Sequence, residues 1–136
     1  MYAVVADIER YPEFLPWCAQ VTIRKREMES HVEVVTAAMR ITFGALHERY
    51  VSRVRLDRGA RTIEARHVEG PFRRLDTRWR FVPLDAGSEI HFLIDFAFKS
   101  MVLSAVAGVA FGFVAAKMAE AFVQRAHRLY GAARIA

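Results

Sequence analysis

From Val21 to Phe98 apolar side chains recur at every second position, in runs broken by turn residues. That is the period of half-buried strands. Val21 and Ile23 open the pattern and lead into a charged turn, Lys25 to Ser30. His31 to Phe43 follows. Its apolar positions change parity between Val32/Val34 and Met39/Ile41/Phe43, which predicts a bulge. Gly44-Ala45 turns the chain into Leu46–Leu56, and Asp57–Ala60 turns it into Arg61–Val68. Gly70-Pro71 leads to Phe72–Val82, and Pro83–Ser88 to Glu89–Phe98. The spacing predicts an antiparallel meander of hairpin-linked strands after the shorter run near Val21.

Registering the hairpins through their turns sorts the side chains onto two faces. One face collects Met39, Ile41, Phe43, Leu46, Tyr50, Val54, Leu56, Ile63, Ala65, Leu75, Trp79, Phe81, Ile90, Phe92, Ile94, Phe96 and Phe98. The other collects Arg49, Arg53, Arg55, Arg66, Arg74, Arg78 and Arg80, with Glu64, Asp76 and Asp95 between them. One aromatic face and one basic, wet face fit an antiparallel sheet covered on a single side.

After the strands the period changes. Ser100 to Ala116 carries no charge, and from Lys117 charges return at helical spacing as Lys117, Glu120, Arg125 and Arg128. With no proline in the run and Gly131 placed as a cap, Lys99–Tyr130 reads as one helix of about 30 residues, roughly 45 Å long. One stripe of it is apolar and mostly small: Met101, Ala105, Gly108, Gly112, Ala115, Ala119, Phe122, Ala126 and Tyr130. The opposite side is charged at its C-terminal end but carries Val102, Val106, Val109 and Phe113 earlier, so it needs a second partner: another segment, a second subunit as in a homodimer, or a membrane. The uncharged run is short for a span, and the sheet needs this helix as its cover.

The N-terminus begins as a short amphipathic helix, with Val4, Val5 and Ile8, broken at Tyr11-Pro12. Two prolines interleaved with Tyr11, Phe14, Leu15 and Trp17 make a compact apolar turn, which either plugs the core or forms a mouth.

Composition narrows the picture. With 136 residues, 54% of them hydrophobic, the chain reads as one ordered domain rather than a disordered segment. Cys18 has no partner for a disulfide, so a reducing compartment fits. Asp7, Glu9 and Arg10 do not suit a secretory signal. The net charge of +5 is compatible with an acidic partner such as anionic lipid or RNA, and equally with a plain basic surface.

The aromatic sheet face and the small-residue helix stripe either pack tightly or leave an apolar chamber; periodicity does not choose. Ser52, His67, Arg73, Thr77 and Glu48 are polar positions on the inner face, and register brings Ser52, His67 and Arg73 near one another. Convergent polar groups in an apolar pocket orient a ligand's head. Equally, His67 reads as an ordinary core or edge histidine. His67 with Glu48 is the inward pair available for acid–base chemistry. A Ser–His–Asp spacing, a Cys/His metal cluster and a glycine-rich phosphate loop are not seen.

The block Val5-Ala6-Asp7-Ile8-Glu9-Arg10-Tyr11-Pro12-Glu13-Phe14-Leu15-Pro16-Trp17-Cys18 resembles the opening signature of the coenzyme Q-binding START-domain family. So do Phe43-Gly44 with Glu48-Arg49-Tyr50, Glu69 to Leu75 with Trp79-Arg80-Phe81, and Ile94 to Ser100. The resemblance covers nearly the whole chain and implies an α+β helix-grip fold, an antiparallel sheet curled around a long C-terminal helix with an apolar tunnel between. It departs from the family in one respect: members usually carry a further strand ahead of the segment that starts here at Met1. Without it a sheet edge is open to strand addition by a partner.

The resemblance implies three functions. The first is a non-enzymatic lipid chaperone that binds ubiquinone or a related prenylated lipid and supports respiratory electron transport. In that reading Phe43, Tyr50, His67, Trp79, Phe81, Phe92, Phe96, Gly108 and Gly112 contact the ligand. Val102, Val106, Val109 and Phe113 touch the inner membrane from the cytoplasmic side, and no cofactor or metal is required. The second is a ribosome-association toxin directed at the large ribosomal subunit through the arginine face. The third is a polyketide cyclase or dehydratase.

Overall fold

The computed structural model describes residues 2–43, 46–85 and 87–130, without the side chains of Phe43, Leu46, Leu103, Val106, Ala107, Ala110 and Tyr130. The Gly44-Ala45 turn and the Gly131 cap lie outside the described residues.

Six strands form one antiparallel sheet in chain order. They are β1 (Cys18–Glu29), β2 (Val32–Phe43), β3 (Leu46–Asp57), β4 (Thr62–Glu69), β5 (Phe72–Leu84) and β6 (Gly87–Phe98). A short helix α1 (Tyr2–Ala6) and a 3₁₀ helix (Ile8–Glu13) precede the sheet, and α2 (Met101–Tyr130) follows it. The helix-grip architecture expected from the sequence is the one observed.

The hairpins rest on local turn chemistry. Asp57 Oδ1 accepts the Ala60 N–H at 3.0 Å, and Ser30 and Arg61 take left-handed backbone angles that close their turns. Gly70, at φ 145°, packs against the neighbouring strand so closely that a Cβ would lie 3.0 Å from the Arg49 carbonyl oxygen. Register shifts place extra residues at Ala19 and Arg24 in β1, Val68 in β4 and Arg73 in β5. Such bulges strengthen the twist that curls a sheet.

The structure corrects four sequence expectations. β1 runs through the charged segment to Glu29, and the turn is confined to Ser30-His31. β2 pairs with β3 without a shift; Val35 and Ala37 fill the inward positions, while Val34 is buried outside the main core cluster. Pro12 does not end α1, which stops at Ala6; it lies near the end of the 3₁₀ helix, where the Tyr11 hydroxyl donates to the Val5 carbonyl. Finally, α2 presents Phe111, Ala115, Met118, Phe122 and Ala126 to the core, at i, i+4, i+7, i+11 and i+15. Met101 and Ala105, expected on that stripe, are exposed.

Phe122 anchors the C-terminal half of α2, with its ring about 5 Å from Tyr11, Phe14 and Trp79. Arg125 secures the same half through Glu13, at 2.6 Å, and lies over the Phe14 ring. Phe111 packs edge-on and tilted against Phe72, Phe96 and Phe98.

Candidate functional site

Between sheet and helix lies an apolar cavity of about 90 Å³. β2 and β3 line it with Met39, Ile41, Tyr50, Ser52 and Val54; β4 to β6 add Ile63, Leu75, Thr77, Trp79, Phe92 and Ile94. Val5, Ile8, Tyr11 and Trp17 close one side, and Phe111, Met118 and Phe122 of α2 form the roof. The volume is below the roughly 300–1,000 Å³ of sites that enclose a whole drug-sized molecule. It suits one ring-sized group. The gap the sequence suggested is largely filled, since α2 offers Phe111 and Met118 where Gly112 and Ala119 were expected. A long chain would need Phe111, Met118 or Phe122 to rotate.

Ser52 is the polar feature of this wall. It is 1% exposed, and its Oγ has no hydrogen-bond partner among the described residues. Unpartnered buried hydroxyls are rare because each loses its water contacts without replacement. Its cross-strand neighbour is His67, whose Nε2 is also buried without a partner. The imidazole stacks on Tyr50, with centroids 5.7 Å apart and planes at 19°. Burial lowers the His67 pKa, Lys99 lowers it further, and the Gly70 backbone opposes both. Burial pushes the Tyr50 hydroxyl up to about 12. Burial also raises Tyr11, and it pushes the Cys18 thiol up to about 11, so these groups stay protonated at neutral pH.

Of the residues proposed from sequence, Tyr50, Trp79 and Phe92 line the cavity. Phe81 is buried behind it, stacked on Trp79. His67 sits beside the wall, under Gly70. Phe96 and Gly108 lie on a separate groove at the start of α2, and a Cβ on Gly112 would meet open space. The Phe43 side chain lies outside the described residues. Arg73, expected beside Ser52, is exposed at its bulge on the groove with Phe96. Glu48 keeps its inward register position, opposite Ile41, but His67 Nε2 has no hydrogen-bond partner among the described residues, so the two are not joined as a pair. Reading the helix from its charged half would have found Met118, which repeats at helical spacing with Phe122; Phe111 lies in the uncharged half, where the pattern carries no such signal.

Val102, Val109 and Phe113 project outward, 72%, 89% and 68% exposed, with Met101 beside them; the Val106 side chain is not described. Among the described residues no helix is long and apolar enough to cross a membrane. None of the described His, Cys, Asp and Glu side chains form a cluster of three suited to a metal ion.

Comparison with known proteins completes the description. The family described as polyketide cyclase / dehydrase and lipid transport matches residues 1–123. The ribosome association toxin RatA of Rickettsia prowazekii is 36% identical over 93% of this chain and 86% of its own length. The mitochondrial coenzyme Q-binding protein COQ10 homolog B of Xenopus laevis is 34% identical over 96% of this chain, which spans 54% of that longer protein. Among solved structures, the 18 kDa protein CC1736 of Caulobacter crescentus shares 36% identity at a TM-score of 0.73, covering 95% of this chain and 87% of its own. The Zhui aromatase/cyclase of Streptomyces shares the fold, at 21% identity and a TM-score of 0.69 over 98% of this chain and 89% of its own.

Proposed function

The chain belongs to the polyketide cyclase / dehydrase and lipid transport family, and from that premise we propose that it binds ubiquinone or a related prenylated lipid and carries it between membranes and respiratory partners. One observation carries this reading: an apolar cavity with a fully buried hydroxyl in its wall that has no hydrogen-bond partner among the described residues. A quinone head matches that wall. Its ring packs against Trp79 and Tyr50, and one carbonyl accepts from Ser52 Oγ. Burying its apolar area contributes roughly 25 cal/mol per Å². The isoprenoid tail leaves past the half-buried Phe92 and Ile94 of β6. The exposed face of Val102, Val109 and Phe113 supplies transient contact with the bilayer during loading.

The chemistry is binding rather than catalysis in this account, because the acid–base pair suggested by sequence is not assembled: His67 lies beside the cavity, and its buried Nε2 has no hydrogen-bond partner, Glu48 included, among the described residues. The test is native mass spectrometry of the protein isolated from quinone-producing cells. A retained lipid, or stoichiometric uptake of added ubiquinone, supports the proposal. A protein that stays empty in both arms refutes it.

A second reading, association with ribosomes, is favoured by the relatives named ribosome association toxin, which align over nearly the whole chain. It predicts salt-sensitive co-sedimentation with ribosomal particles, the large subunit first. The two readings use different surfaces and are compatible.

A further inference from the structure

The outer face of the sheet carries arginines in two different states. Arg53 and Arg55 pair with Glu29, Arg74 with Asp95 at 3.0 Å, and Arg78 with Glu64 at 3.0 Å. Arg40 and Arg49 differ. They sit directly opposite each other across β2 and β3, and neither has a carboxylate partner among the described residues. Arg24, on the β1 bulge, joins them in one open groove of about 410 Å³, together with Gln20, Thr22 and His47. Glu48 also lines this groove and forms no ion pair with a described residue.

Like charges placed opposite one another in a ladder destabilise it. The fold resolves such a conflict at Arg53 and Arg66, also opposite each other, by giving Arg53 to Glu29. At Arg40 and Arg49 it does not. An anionic partner would resolve it instead, and three guanidiniums beside the Gln20 and Thr22 side chains offer forked donors along the groove. We propose that this groove binds the phosphodiester backbone of RNA. A membrane surface fits less well: the groove's apolar lining is Ala38 and Met39, with Met39 buried, while the large exposed apolar side chains Val102, Val109 and Phe113 belong to α2. The inference gives the ribosome reading a contact surface and rests on that reading for the source of the RNA. It is independent of the cavity.

The test is fluorescence anisotropy with a labelled single-stranded RNA oligonucleotide across a series of salt concentrations. The Arg40→Gln/Arg49→Gln variant loses about tenfold in affinity at low salt, and its log K–log salt slope is shallower by about 1.4, two phosphate contacts' worth. Arg24→Gln, at an exposed position that leaves the β2–β3 pair intact, lowers the slope by about 0.7. Arg74→Gln, on the same face but ion-paired elsewhere, binds as the parent does. The double variant melts at or above the parent temperature, because the like-charge opposition is gone. An unchanged slope in the double variant, or an equal loss in Arg74→Gln, overturns the proposal. So does a double variant that keeps RNA but loses phosphatidylglycerol vesicles. Ribosome co-sedimentation separates the two ideas. A double variant that pellets with ribosomes as the parent does overturns the groove and leaves the ribosome reading standing. A parent that binds RNA through the groove without pelleting supports the groove against that reading.

Discussion

Replacing Ser52 with alanine is expected to strengthen the empty domain while weakening its hold on a quinone. In the free protein Ser52 Oγ is fully buried and makes no hydrogen bond with a described residue. A buried hydroxyl in that state costs about 1–3 kcal/mol of desolvation, and an apolar group of similar shape removes the cost. Alanine is slightly smaller, and a lost heavy atom at a cavity wall returns part of the gain. The net expectation is about 1 kcal/mol of added stability, or roughly 3–5 °C in melting temperature for a domain of this size. In the complex the same hydroxyl donates to a carbonyl, and losing a neutral hydrogen bond costs about 0.5–1.5 kcal/mol, roughly a threefold to tenfold rise in Kd. Urea unfolding of the empty protein gives the first quantity and quinone titration the second. The signs are opposite, which is what marks a group kept for binding rather than for folding. A variant that is less stable than the parent, or that binds quinone equally well, refutes the assignment.

Three further outcomes rest on the same packing. Phe122→Ala removes a buried ring held by Tyr11, Phe14 and Trp79 and destabilises the empty protein by about 3–5 kcal/mol in urea unfolding. A saturating prenylated quinone restores part of that loss by filling the enlarged space, and the melting shift with ligand exceeds the parent's. His67 is harder to protonate when folded, so below its ordinary value of about 6.5 the unfolded chain binds the extra proton. Stability is therefore full above that pH and falls as pH drops through the window beneath it; urea midpoints measured from about pH 7.5 to about pH 5.5 show a slope that His67→Gln flattens. Val109→Asp with Phe113→Asp changes positions that are 89% and 68% exposed. It leaves stability within about 0.5 kcal/mol, while vesicle flotation shows weaker membrane binding.

The strands were legible because alternation along β2 to β6 is enforced by one dry face, and inward positions such as Tyr50, Val54, Ile63, Trp79 and Phe81 are buried as their parity predicts. β1 was not. It is an outer strand whose second half, Arg24 to Glu29, is largely wet on both sides, so the charged residues mimic a turn. The rotation of α2 was legible only in its second half. Lys117, Glu120, Gln124 and Arg128 fix the wet side there, and Ala115, Phe122 and Ala126 are buried opposite them. In the first half every side of the helix is apolar. Nothing in the pattern distinguishes Gly112 from Phe111, and the one-residue offset exchanged a small roof for a bulky one. Cavity size depends on that offset, so it could not be read from sequence. The bulge at Arg73 likewise moved that arginine out of the group with Ser52 and His67, because an extra residue in one strand re-aims the side chains around it.

Trp17 and Trp79 are the chain's two tryptophans, and both line the cavity. A quinone that enters it lies against both indoles and quenches them. Titrating the protein with a short-tailed ubiquinone while monitoring tryptophan emission therefore reads the cavity directly. Binding there gives saturable quenching at one quinone per chain, which a tail-only hydrocarbon displaces weakly. Quenching that rises linearly without saturation, at the rate of free tryptophan in the same solution, means that no quinone enters.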